Sequence, residues 1–112
     1  MASADASVMR LWRGTTAAAD ADLYFRHVTT KVLPTLRRLT GHLGSMVLRR
    51  DAGGQVEFLV ITRWRSLDSI RAFAGSDPKV AVVDPEARAV LTSFDSVVEH
   101  YELAFELTAS SS

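Results

Sequence analysis

The segment VVEHYEL, residues 97–103, sets His100 beside Tyr101 and between Glu99 and Glu102. A histidine can take a proton from a phenol or quinol near neutral pH, because its ordinary pKa lies there. Read as a strand, the alternation puts His100 on one face with Val98 and Glu102, and Tyr101 on the other with Val97 and Leu103. Only one of the pair can face a pocket on the helix side. His100 is the expected general base, and a structural or subunit-interface histidine is the alternative.

A second set lies on other strands and helices. Arg10 and Trp12 share a face of the first strand. An arginine aimed into an apolar pocket can hold a phenolate or semiquinone-like anion. Trp64 closes the third strand where a helix begins, and its broad face with one N–H suits a flat ring. Catalytic-site packing and plain corner packing both fit Trp64. Arg63 and Arg65 fall on the opposite parity and belong to the surface or an interface. Trp12, Tyr24, His27, Phe58 and Phe73 are the expected substrate-lining residues, with Arg88 as an anion clamp. His27 lies one turn from Tyr24 and faces either the pocket or the helix edge. His42 opens the second strand as a wall residue.

Several chemistries are excluded. The three histidines are not at metal-ligand spacing, so no metal is expected. The absence of cysteine rules out disulfides and thiolate catalysis. No flavin, nicotinamide or phosphate-loop motif occurs, so no cofactor is expected. A formal net charge of zero argues against nucleic-acid binding. No apolar run is long enough to span a membrane, and MASADASVMR does not read as a signal peptide. A cytoplasmic location is the expectation.

The 112 residues, 47% hydrophobic and 23% charged, suit one globular domain over 1–112, with an ordered core of about 7–107 and fraying ends. Ser7 to Arg13 reads as a strand broken by Gly14-Thr15-Thr16. A helix capped by Asp20 or Asp22 carries Tyr24, Val28 and Val32 at four-residue spacing and is kinked by Pro34. Leu33, Leu36 and Leu39 continue its buried side. His42–Arg50 and Gln55–Arg65 read as strands joined by a turn at Asp51-Ala52-Gly53-Gly54. Ser66 caps a helix with Leu67, Ile70, Phe73 and Ala74 inward, ended by Gly75. Asp77-Pro78 and Asp84-Pro85 each start a short helical piece, the second covering Glu86 to Phe94. Ser96 to Glu106 is the fourth strand.

The order β-α-β-β-α-β predicts an α+β, ferredoxin-like, four-stranded antiparallel sheet with helices on one face. The third strand is apolar on both parities, with Val56, Phe58, Val60 and Trp64 on one and Leu59 and Ile61 on the other. Helices cover one face. A second copy covering the other gives a homodimer.

The segments LTGHLGSMVLRR, FLVITRWRSLDSIRAF and FDSVVEHYEL resemble the dimeric α/β-barrel proteins, and within them the antibiotic biosynthesis monooxygenase family. The resemblance runs from Val8 to Leu103. It implies a cofactor-independent oxidoreductase acting on an aromatic polyketide or quinol with molecular oxygen, in a pocket between sheet and helices. Trp64 matches the aromatic that ends the third strand in many members. Where quinol-oxidising relatives carry an Asn and a Tyr, this chain has Val60 and Ile70. Heme-degrading relatives carry a first-strand Asn, a helical Trp and a His, against no Asn, Phe73 and a place near Val83 here. Cyclase relatives carry a His and a Tyr in that helical region, and this chain has neither. The alternatives are a non-oxidative small-ligand or heme-binding protein, or a cyclase or isomerase of the same fold.

Overall fold

The computed structural model describes residues 7–109. The expected fraying of the extreme ends, 1–6 and 110–112, lies outside the described residues. The strands are β1 (Val8–Ala17), β2 (His42–Asp51), β3 (Gln55–Trp64), β4 (Leu91–Phe94) and β5 (Glu99–Glu102). The helices are α1 (Ala21–His27), α2 (Leu33–Leu36), α3 (Leu67–Ala74) and α4 (Pro85–Val90). The sheet order is β2-β3-β1-β4, with β5 also on β1 and every pairing antiparallel. β4 and β5 occupy successive stretches of one β1 edge, so they act as a single interrupted fourth strand. This is the expected ferredoxin-like arrangement.

Alternation along β3 divides the two faces. Val56, Phe58, Val60, Thr62 and Trp64 are buried toward the helices, while Glu57, Leu59, Ile61 and Arg63 are only half-buried on the other side. On β1, Arg10, Trp12, Gly14 and Thr16 share the helix side. The core has two parts. Trp12, Tyr24, Val28, Phe58 and Val60 form one, and Leu36, Trp64 and Ile70 form the other. Burying Ile70 fully is worth about 1.5–3 kcal/mol.

Pro34 acts through its missing N–H. The chain loosens into a wider π-helical stretch at Val28–Val32 before α2 resumes. Thr29, Thr30 and Thr35 turn their hydroxyls back onto the carbonyls of Phe25, Arg26 and Val32 at 2.7, 2.6 and 2.6 Å. Ser66 and Asp84 cap α3 and α4, accepting from the amides of Ser69 at 3.2 Å and Ala87 at 2.8 Å. Gly53 and Gly54, at φ of 60° and 83°, close the β2–β3 hairpin as expected.

Five expectations are corrected. Gly14-Thr15-Thr16 does not break β1, because these residues pair with Phe58, Glu57 and Val56 of β3. Asp77-Pro78 starts no helix. The Asp77 carboxylate accepts from the Lys79 amide at 3.0 Å, and Val80 bridges to Val97. α4 ends at Val90, since Leu91–Phe94 find a free edge on β1 and extend along it. The last strand stops at Glu102, opposite Val8, where β1 itself begins. Leu67 is 43% exposed, while Ile70 takes the buried place on α3.

Candidate active site

A cleft opens between the helix face of the sheet and the helices. Its floor is Arg10, Trp12, Val60 and Thr62. α1 and its extension add Tyr24, His27, Val28, Val32 and Leu33. Phe73 comes from α3, Ala87 from α4, and Val82, Val83 and Asp84 from the segment leading into α4. The cavity volume of this cleft is small, about 80 Å³. The cleft is therefore a slit. A flat aromatic ring system suits its largely apolar lining.

Of the residues expected from sequence, Trp12, Tyr24, His27 and Phe73 line the slit. Trp12 is fixed by its indole N–H, which donates to the Asp95 carbonyl at 2.9 Å. Tyr24 meets Phe58 edge-on at 4.8 Å between centroids. Phe58 stands behind Tyr24 and lines no part of the slit. Trp64 is likewise fully buried behind the wall. It stacks on Phe73 at 6.0 Å and donates to the Thr62 hydroxyl at 2.8 Å. His42 packs against its other side at 5.2 Å. Trp64 therefore holds Thr62 and Phe73 from behind the lining.

His100 also lies outside the lining. It sits on β5 directly opposite Arg10 of β1, on the same face. Its Nε2 is buried without a partner. Burial, then the charges of Arg10 and Lys79, push its pKa below the ordinary histidine value. Arg88 is exposed, donates to the Val83 carbonyl at 3.0 Å, and covers the Phe94 ring at 5.2 Å. It fastens the mouth segment and does not reach the slit.

Two residues matter more than their sequence context announced. Arg10 is only 5% exposed. Its guanidinium donates to the Val80 carbonyl at 2.7 Å and lies over Phe73 at 5.2 Å, but its Nε has no partner. Desolvation lowers its pKa to about 10, so it stays cationic at neutral pH. Among the described residues, no carboxylate pairs with it. Asp84 reads from sequence as a cap and does cap α4, but it also faces the slit.

His27 lies 2.9 and 3.0 Å from the two Asp84 oxygens through Nε2. Its Nδ1 lies 2.8 Å from Glu86, out of line for a hydrogen bond. A carboxylate stands against each ring nitrogen of His27. His27 ties α1 to the start of α4. Burial opposes ionisation of Asp84, but the Ala87 amide and His27 outweigh it, and its pKa falls below the usual carboxylate value. Burial, then the Asp84 charge, pushes the Tyr24 phenol up, so Tyr24 keeps its proton. The slit thus presents one buried cation, one carboxylate and the hydroxyls of Tyr24 and Thr62 between aromatic walls. Among the described residues, no group of His and carboxylate side chains is arranged to hold a metal ion.

A family model described as antibiotic biosynthesis monooxygenase matches residues 15–85, more than half of the chain.

The chain belongs to the antibiotic biosynthesis monooxygenase family.

Solved structures carry the same fold. A protein from Bacillus cereus assigned to these monooxygenases superposes with a TM-score of 0.66 at 15% identity, covering 93% of this chain and 99% of its own. A variant of SnoaB, a cofactor-independent oxygenase from Streptomyces nogalater, gives 0.58 at 20% identity over 91% and 95%. The heme-degrader MhuD from Mycobacterium tuberculosis gives 0.58 at 19% over 90% and 99%. At these identities the likeness establishes the fold alone. No curated protein matches the chain in sequence. Among the described residues, no helix is long and apolar enough to cross a membrane.

Proposed function

We propose that this member of the antibiotic biosynthesis monooxygenase family oxidises a flat phenol, quinol or anthrone-type molecule with molecular oxygen and no cofactor. The observation that carries the reading is the slit itself, with Trp12 on its floor, Phe73 in its wall and Asp84 beside a protonated Tyr24. Asp84 accepts the substrate proton, since its carboxylate is ionised at neutral pH. Tyr24 and Thr62 donate to the oxyanion that forms, and Arg10 keeps the slit positive. The electron-rich anion passes an electron to oxygen, and the two radicals combine at carbon. Asp84 returns its proton to the peroxide, and loss of water from the hydroperoxide turns the attacked ring carbon, a CH₂ in an anthrone, into a carbonyl. One oxygen atom enters the product and the other leaves as water.

This assignment moves the base from His100 to Asp84, because Asp84 faces the slit. It also supplies donors that Val60 and Ile70 cannot. Val60 is apolar in the slit, and Ile70 is buried beside Leu36 and Trp64.

The second reading is a non-oxidative small-ligand protein, which the apolar Val60 favours. The narrowness of the slit speaks against a resident heme. Oxygen uptake matched one-to-one with carbonyl product supports the oxygenase. Tight ligand binding without uptake supports the alternative.

The proposal includes a cytoplasmic homodimer. The helix-free sheet face leaves Met46, Leu48 and Tyr101 at 51%, 50% and 52% exposure beside half-buried Leu59 and Ile61. A second copy covers such a face with a like surface.

A further inference from the structure

Neither His42 nor Ser45 lines the slit. The two are three positions apart on β2, so a regular strand would point them to opposite faces. A bulge between His42 and Gly44 adds one residue and re-aims them. His42 then stands opposite Trp64 and Ser45 opposite Thr62, both on the helix side of the sheet. His42 Nε2 lies 2.9 Å from the Ser45 hydroxyl oxygen. Trp64 meets the His42 ring edge-on at 5.2 Å and fixes its orientation. Burial lowers the His42 pKa against the opposing effect of a hydrogen bond with the Gly44 backbone, so the ring is neutral at pH 7. A neutral imidazole held against a serine hydroxyl is the base–nucleophile pair of acyl transfer.

The pair opens on a groove of about 630 Å³ between β2 and the segment from α1 to α2. Phe25, Leu33, Leu43 and Val47 give it apolar walls, and Arg37 lines it too. Only Leu33 is shared with the slit. β2 is an edge of the sheet, so alternate amides along it have no strand partner. Those amides and Arg37 are the donors available to an oxyanion formed beside Ser45.

We propose that Ser45 and His42 form a second site, separate from the slit, that hydrolyses carboxylic esters with a short apolar acyl group. The Ser45 oxygen attacks the ester carbonyl while His42 takes its proton at Nε2. The ester C–O bond breaks, and His42 returns that proton to the departing alkoxide. Water, giving its proton to His42, then cleaves the acyl-serine bond. The acid leaves, and the Ser45 hydroxyl regains its proton from His42.

The test follows hydrolysis of p-nitrophenyl butyrate by the purified protein, together with labelling by phenylmethanesulfonyl fluoride mapped by peptide mass. The proposal expects a rate above that of buffer and a sulfonyl adduct on Ser45. The rate should drop to that of buffer in Ser45→Ala and by at least about tenfold in His42→Phe, which keeps a ring against Trp64. Circular dichroism checks folding, and if His42→Phe does not fold, Ser45→Ala and the site of the adduct still decide. A rate no greater than that of buffer, a rate unchanged in folded Ser45→Ala, or a label on another residue overturns it. Ser45 lies outside the slit, so failure here leaves the oxygenase reading standing, and absence of oxygen uptake leaves this site standing.

Discussion

Trp64 donates its indole N–H to the Thr62 hydroxyl at 2.8 Å, two residues back on the same face of β3. Thr62 thereby receives one hydrogen bond and keeps its own proton for the slit it lines. The tryptophan shapes the site through a neighbour.

Trp64→Phe tests that relationship. The ring still stacks on Phe73, but the buried Thr62 oxygen loses its donor. Urea unfolding should show a loss of about 1–3 kcal/mol. Turnover should fall too, because the Thr62 hydroxyl is then free to turn away.

Gly14→Ala should disturb the floor of the slit at Trp12. A Cβ at Gly14 overlaps the Trp12 ring and comes within 3.0 Å of Leu91. Overpacking of this kind costs about 1–3 kcal/mol. Thermal unfolding measures the cost, and a changed tryptophan emission reports that Trp12 has moved.

The Asp84–His27 pair predicts a pH dependence. Asp84 has a lowered pKa in the folded chain, so its ionised form stabilises the fold above the ordinary carboxylate pKa. That contribution is lost as pH falls through the folded value. Asn retains the helix cap but not the charge. The stability difference between wild type and Asp84→Asn should hold above the ordinary carboxylate range and close as pH falls below it. A difference that widens on acidification contradicts the assignment.

The exposed sheet face predicts self-association. Light scattering should give twice the 12.3 kDa chain mass for the wild type. Met46→Glu combined with Leu48→Glu should yield folded monomers, because both side chains are about half exposed in the single chain. A wild-type monomer at micromolar concentration contradicts the dimer.

The sheet and its order were legible because the apolar run of β3, the Gly53-Gly54 turn and the β-α-β-β-α-β order leave little choice of pairing. Capping at Ser66 and Asp84 was legible for the same local reason. The course of Leu91–Phe94 was not. A helical pattern there yields to the free edge of β1, which is a long-range effect. The site was legible in part. Trp12, Tyr24, His27 and Phe73 follow from their faces. Phe58 and Trp64 share those faces but sit one layer deeper, a depth that alternation does not encode. Asp84 was hidden by its second task as a cap. The clamp on His27 was not legible, because its carboxylates lie 57 and 59 positions away in the chain.

The most direct test is oxygen uptake by metal-stripped protein against anthrones, hydroquinones and polyphenols, for wild type and Asp84→Asn. The account predicts saturable uptake with one class, slowed on the order of a hundredfold in Asp84→Asn. Uptake that is unchanged in Asp84→Asn contradicts Asp84 as the base. No uptake with any of these classes contradicts the oxygenase and leaves the slit as a binding site.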